Sequence, residues 1–274
     1  MTPKALILHA HGTNRDLEAA QAFELAGAQT KIVPLNELRS GAERWVDYQI
    51  LCIPGGFSYA DALGAGRLLA LDLNAYFADG VRAFVETGKP VIGICNGFQA
   101  LVKAGILPGE KSEGSNHRSE EGASTSDFQH PTSTLTFNES GHFECRWATL
   151  APASQVCVWT RSLAKPIYCP VAHGEGNFVL ADPEALFNLH AHDQIALLYA
   201  KADGTRAHGE YPFNPNGSTA DVAGVCNPHG NVLGLMPHPE DHIYPHQHPR
   251  WTRGERGRKG LKLFENGVKY AAQM

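Results

Sequence analysis

Three short stretches of this chain carry residue types that could do nucleophilic chemistry together. Residues 90–105 read PVIGICNGFQALVKAG. Val91, Ile92, Gly93 and Ile94 run straight into Cys95, and Asn96, Gly97 and Phe98 open a stretch with helical spacing at Phe98, Leu101 and Val102. That pattern predicts a buried parallel strand, a one-residue turn and a helix, with the thiol at the corner. At such a corner the unpaired amides and the dipole of the helix N-terminus favour a thiolate. Gly93 and Gly97 leave room for the tight bend and for a substrate. Taken alone, a small core residue explains Cys95 equally well, because free cysteine is among the most buried residue types.

The second stretch is VLGLMPHPE at 232–240. Pro239 drives His238 into the extended region, and Pro237 does the same for Met236. In an extended chain residues i and i+2 share a face, which puts Glu240 beside the His238 ring. A carboxylate there fixes the imidazole tautomer and stabilises its cation, as a thiol-activating base requires. A surface turn explains these residues if they stand alone; beside an elbow cysteine they supply base and orienter. The third stretch is Gly55-Gly56-Phe57, which follows an apolar run. Paired glycines at a strand end can present amides to a developing oxyanion, with the amide of Asn96 already beside the sulfur. An ordinary tight turn is the simpler account of the two glycines alone.

These groups need a scaffold that brings residues 55, 95 and 238 to one edge. Apolar runs at 5–9, 30–33, 50–53 and 91–94 alternate with helical patterns at 15–26 and 63–85. Thr13 or Asn14 is the expected N-cap of the first helix and Gly27 its stop. The alternation predicts an α/β fold, a mostly parallel doubly wound sheet with a nucleophile elbow, whose ligands bind beyond the carboxyl ends of the strands. The loops at 12–16 and 55–61 and the Cys95 corner then lie together. Later runs at 133–137, 143–147 and 156–160 are short and partly alternating, which predicts antiparallel strands at one edge of that sheet. Further strands are expected over 170–173, 195–199, 222–225 and 232–236, the last two joined by a hairpin at 227–231.

The 274 residues fit a single domain, 1–274, with a polar excursion near 110–130 and a C-terminal extension after 241. A net charge of −5 and a pI near 6.3 argue against nucleic acid or an anionic membrane as a partner. The chain opens on an apolar strand with only Lys4 before it, and no apolar run approaches the roughly 20 residues of a membrane helix, so a cytoplasmic location is expected. Six cysteines stand singly, never as CxxC, a usage that suits reduced thiols and gives no zinc pattern. His242, His246 and His248 are close in sequence, but Pro245 and Pro249 deny them a helical i,i+4 pair, and no metal is expected. The arginines and lysine at 250–259 give no helical face and read as a solvated loop.

The motif formed by Gly93, Cys95, Gly97 and Gln99, together with PHPE at 237–240, resembles the class I, triad-type glutamine amidotransferases. Finer blocks resemble one branch, the glutaminase components of phosphoribosylformylglycinamidine synthases. These blocks are HGTNRD (11–16), IPGGFSYADALGAG (53–66), SGHFECRW (140–147), AHGEG (172–176), NPNGS (214–218), HPRW (248–251) and GLKLFENGVKY (260–270). His11 stands where that branch more often has proline, and Ala60 where glycine is usual. The resemblance implies a catalytic triad of Cys95, His238 and Glu240, an oxyanion site at Gly55, Gly56 and Asn96, and glutamine-positioning groups at Phe57, Gln99, His173, Gly174 and Glu175. It also implies a synthetase subunit as partner, with a small third subunit as a further candidate. The chain has no GxxxxGK[ST], so ATP and Mg are expected on the synthetase and no cofactor on this chain. A non-catalytic protein with an elbow cysteine is the alternative from another class, and the PHPE strand end speaks against it.

Overall fold

A computed structural model describes residues 1–109, 132–257 and 259–274. The polar excursion expected near 110–130 lies outside the described residues. In chain order the elements are β1 (Lys4–His9), α1 (Asp16–Leu25), β2 (Gln29–Pro34), α2 (Leu35–Ser40), β3 (Ile50–Ile53), α3 (Arg67–Ala75), α4 (Ala78–Glu86), β4 (Val91–Ile94) and α5 (Asn96–Lys103). There follow β5 (Ser133–Thr136), β6 (Glu144–Pro152), β7 (Ile167–His173), β8 (Asn177–Leu180), α6 (Pro183–Ala191), β9 (Ile195–Ala200), β10 (Val222–Cys226), β11 (Val232–Leu235) and α7 (Leu261–Ala271).

Nine strands form one sheet in the order β2-β1-β3-β4-β11-β10-β9-β6-β7. The first five run parallel, and from β11 onward each neighbour is antiparallel. Covering is complete in the centre and falls off at the β7 edge. Strands β3, β4 and β11 read ILCI, VIGI and VLGL and are buried throughout, because helices close both sides of a parallel sheet. Strand β7 instead alternates buried and half-buried positions, as a strand with one covered face does. Beneath the parallel half, Phe23 of α1 meets Phe264 of α7 and Trp159 edge-on, with centroids 5.1 and 6.3 Å away.

The structure corrects several expectations. Residues 133–136 do not extend the main sheet; β5 pairs with β8 in a separate two-stranded sheet. Residues 156–160 form a turn rather than a strand. There the Ser154 hydroxyl and the Asp193 carboxylate take the amides of Gln155, Val156 and Cys157, so no ladder partner is needed. The helical pattern over 63–85 breaks into α3 and α4 at Tyr76 and Phe77, where Phe77 turns inward against Trp45. Arg15, not Thr13 or Asn14, caps α1. Thr13 is otherwise engaged, since it bridges Gly56 and its hydroxyl accepts the Ala10 amide at 3.2 Å. Beyond residue 241 the C-terminal extension runs as short 3-10 turns up to α7.

Helix α5 packs tightly against the sheet at its start. A Cβ on Gly97 would stand 1.9 Å from the Ile53 carbonyl oxygen, a contact only backbone movement could relieve. Gly97→Ala is therefore expected to destabilise the fold by about 2–3 kcal/mol, in the upper range for overpacked cores. Denaturant unfolding measures it, and a loss below about 0.5 kcal/mol contradicts the packing.

Candidate active site

Cys95 closes β4 and caps α5 with φ 49° and ψ −104°, a left-handed conformation that a residue bearing a Cβ adopts only under constraint. The constraint is visible on both sides. Its amide donates to the Leu235 carbonyl at 2.7 Å, and its carbonyl accepts the Gln99 amide at 3.0 Å. The first tie joins the elbow to β11, the strand whose end carries His238, and the second starts the helix. The thiol sits 3.8 Å from the Ala172 carbonyl oxygen, and its charge is among those that act on the His238 ring.

The His238 amide donates to the Pro170 carbonyl at 2.8 Å, which fixes the ring from β7 as well as from β11. Its Nδ1 meets Oε1 of Glu240 at 2.6 Å, and both side chains are buried. With Nδ1 donating to that carboxylate, Nε2 is left for the sulfur. Glu240 reaches this position by a different route from the one expected. Residues Pro239–His242 form a turn of 3-10 helix, so the contact comes from a bend and not from an extended chain. Burial pulls the His238 pKa down, but the charges of Glu240 and of Cys95 outweigh it and hold the ring well above its ordinary value.

The glycine loop lies over this pair. A Cβ on Gly55 would stand 2.7 Å from His238 Cε1 and 3.4 Å from Cys95 Cβ. Only a glycine lets the backbone come this near to both side chains. Gly56 is bridged to Thr13, and the Phe57 amide donates to the Gly12 carbonyl at 3.1 Å, which anchors the loop to the one after β1. Asn96, in the first turn of α5, has no intrahelical acceptor for its amide, which is free to donate beside the sulfur. The Phe57 ring is half exposed at the rim.

The remaining candidates serve one another. The Gln99 side chain accepts from Asn96 Nδ2 at 3.1 Å and donates to the Glu175 carbonyl at 2.6 Å, so it holds the loop 173–176 to the elbow. Glu175 turns its carboxylate to the Ala65 amide at 3.3 Å and to Lys103 at 3.7 Å. His173 is buried, and burial, with the charge of His238, pulls its pKa down to about 3; the ring is neutral. Gly174 is half-buried on the same loop.

Sequence reasoning missed Asn138. Its Nδ2 donates to the carbonyls of His173 at 2.7 Å and His142 at 2.8 Å, and its Oδ1 accepts from the Gly176 amide at 2.9 Å. It is the staple of the 173–176 loop. Its only signal was its place in the turn just before SGHFECRW. Of the clustered histidines, His242 is tied to the Tyr168 carbonyl and lies beside His248, ring centroids 5.5 Å apart, while His246 stacks on Tyr244.

A cysteine on a strained strand-to-helix elbow, at the carboxyl edge of the parallel half of the sheet, places the molecule among the α/β proteins with such an elbow. Residues 2–271 match the CobB/CobQ-like glutamine amidotransferase domain. The chain is 52% identical to the phosphoribosylformylglycinamidine synthase subunit PurQ of Treponema denticola, over 98% of this chain and 99% of that one. It is 44% identical to the subunit of the same name from Dehalococcoides mccartyi, over 99% and 98%. Among solved structures it resembles a chain of PurLQS from Thermotoga maritima, with 29% identity, a TM-score of 0.72, and coverage of 98% of this chain and 99% of that one. The chain belongs to the glutamine amidotransferase family and, within it, to the PurQ subunits.

The charge balance at His238 has a pH consequence. Because its pKa is raised on folding, the stability it contributes is fully present below about 6.5, the ordinary histidine value, and is lost as pH rises through the higher folded value. Glu240→Gln removes the foremost group that raises it. The His238 imidazole, followed by NMR, should then lose its proton at lower pH than in the wild type. An unmoved titration would contradict the pairing.

Proposed function

We propose that this chain is the glutaminase subunit of a phosphoribosylformylglycinamidine synthase, hydrolysing glutamine to glutamate and passing ammonia to an ATP-dependent synthetase subunit in purine biosynthesis. The carrying observation is the run from Cys95 to His238 to Glu240 beneath the Gly55 loop, in a chain that is half identical to a PurQ subunit along its length.

In this reading the Cys95 thiolate attacks the side-chain amide carbon of glutamine, and its carbonyl oxygen becomes an oxyanion received by the amides of Gly56 and Asn96, with Gly55 leaving the space. The carbon–nitrogen bond breaks as His238, charged and held by Glu240, protonates the departing nitrogen, and ammonia leaves. The glutamyl thioester then remains on Cys95. Neutral His238 takes a proton from water, the hydroxide adds to the thioester carbon, and the carbon–sulfur bond breaks to release glutamate. Phe57 and the loop 173–176, held by Gln99 and Asn138, line the approach for the amino-acid end of glutamine. ATP and Mg are assigned to the synthetase, to which the ammonia must pass without mixing with water. A small third subunit, present in the name of the similar Thermotoga maritima assembly, is a further partner.

Cys95→Ala and His238→Ala, each assayed for glutamine hydrolysis in the presence of the synthetase subunit, are expected to lower kcat by at least about 10³-fold. Full activity retained by either would falsify the assignment. A glutamine-like diazo-ketone should label Cys95 in the wild type and leave the other five cysteines unmodified.

A further inference from the structure

The side chain of Asn96 stands where the loops of the active face cross, and hydrolysis of glutamine does not by itself require it. It is buried, and its hydrogen-bonding capacity is filled. Its Oδ1 accepts from the Ser58 amide at 3.1 Å and from the Ser58 hydroxyl, while its Nδ2 donates to Oδ1 of Asp61 at 2.8 Å and to Gln99 at 3.1 Å. Ser58 and Asp61 belong to the stretch that continues from Gly55 and Gly56, so Asn96 grips the oxyanion loop two and five residues past its glycines.

That stretch is under strain. Tyr59, Ala60 and Asp61 have φ of 55°, 55° and 51°, and Leu63 has 67°; none is a glycine. Residues with a Cβ hold such angles only where surrounding contacts over-determine them. Several contacts do so here, among them the Tyr59 amide, which donates to the His11 carbonyl at 2.6 Å. The Tyr59 hydroxyl bonds the Asp72 carboxylate, the Ala60 amide donates to the Phe57 carbonyl at 2.8 Å, and the Asn96 side chain holds both ends of the strained run. Of these, only the Asn96 contact refers the loop to the nucleophile elbow. Without it the loop stays anchored to the one after β1 through Thr13, Gly12 and His11 but loses this reference to the elbow, so the Gly55–Gly56 amides can shift relative to Cys95.

We propose that Asn96 is a positioning residue: through Ser58 and Asp61 its side chain fixes the strained loop so that the Gly56 amide stands at a set distance from Asn96's own amide. One residue thereby supplies one oxyanion donor and locates the other. The proposal rests on the glutaminase reading above.

The test uses the full chain with its synthetase partner. Asn96→Leu keeps the side-chain size and removes every side-chain hydrogen bond. It is expected to lower kcat for glutamine hydrolysis at least about tenfold, with KM within about threefold, somewhat less than deleting an oxyanion donor outright. Alkylation of Cys95 by iodoacetamide forms no oxyanion and should stay within about threefold. Asn96→Asp sets a carboxylate against Asp61 and should lose activity similarly. Asn96→Asp combined with Asp61→Asn restores a donor facing an acceptor and should recover kcat at least about fivefold over Asn96→Asp alone. A kcat loss smaller than tenfold in Asn96→Leu, a matching loss of alkylation, or no recovery in the double variant overturns the proposal. If Asn96→Leu fails to fold, the comparison of Asn96→Asp with the double variant decides. Cys95→Ala run alongside separates the two levels: activity without the thiol refutes the glutaminase reading itself, whereas its loss with an unaffected Asn96→Leu refutes only the role of Asn96.

Discussion

A carboxylate removed wholly from water is costly unless it is paired, and Glu240 is removed wholly from water. One of its oxygens meets His238 and the other has no partner among the described residues, so the charge depends on the imidazole. That dependence organises the site. It sets the ring's tautomer, holds its proton, and leaves the far nitrogen for sulfur. The same charge reaches further, because burial and then the field of Glu240 push the thiols of Cys52 and Cys169 well up. Two further thiols are thus kept protonated, by burial first and by the charge of Glu240 second.

The scaffold's contribution is convergence. Loops after β1 and β3, the elbow after β4, the turn after β11 and the loop after β7 come from sequence positions far apart, yet short hydrogen bonds join them in a closed set. Leu235 holds the elbow, Pro170 holds His238, Gly12 holds Phe57, and Gln99 holds Glu175. Most of these ties are backbone to backbone, so the geometry rests on main-chain positions that side-chain exchange alters little.

Much of this was legible from residue order. Strand β3 falls where the apolar run 50–53 ends in Pro-Gly-Gly, and β4 and the elbow fall where four small or apolar residues meet a cysteine and a helical period. Such features are local, and periodicity and turn chemistry report local structure. What could not be read depended on partners distant in sequence. The pairing of β5 with β8, the turn at 156–160 held by Asp193, and the staple at Asn138 are settled by groups about 35 to 45 residues away, on which no local pattern bears. The His238 to Glu240 contact is instructive for another reason: the right residues were paired for the wrong backbone, because PHPE bends where an extended chain was assumed.

The sheet changes character at β11, parallel to β4 on one side and antiparallel to β10 on the other. This makes β11 a closing piece. The strand that bears the nucleophile is made early in the chain, but the strand that seats beside it and brings its base comes only after the whole antiparallel half. A ribosome therefore finishes the thiol's corner long before His238 exists to stand beside it. Until β11 slides between β4 and β10, Cys95 has no His238 beside it, and the loops of this face have not yet been brought together.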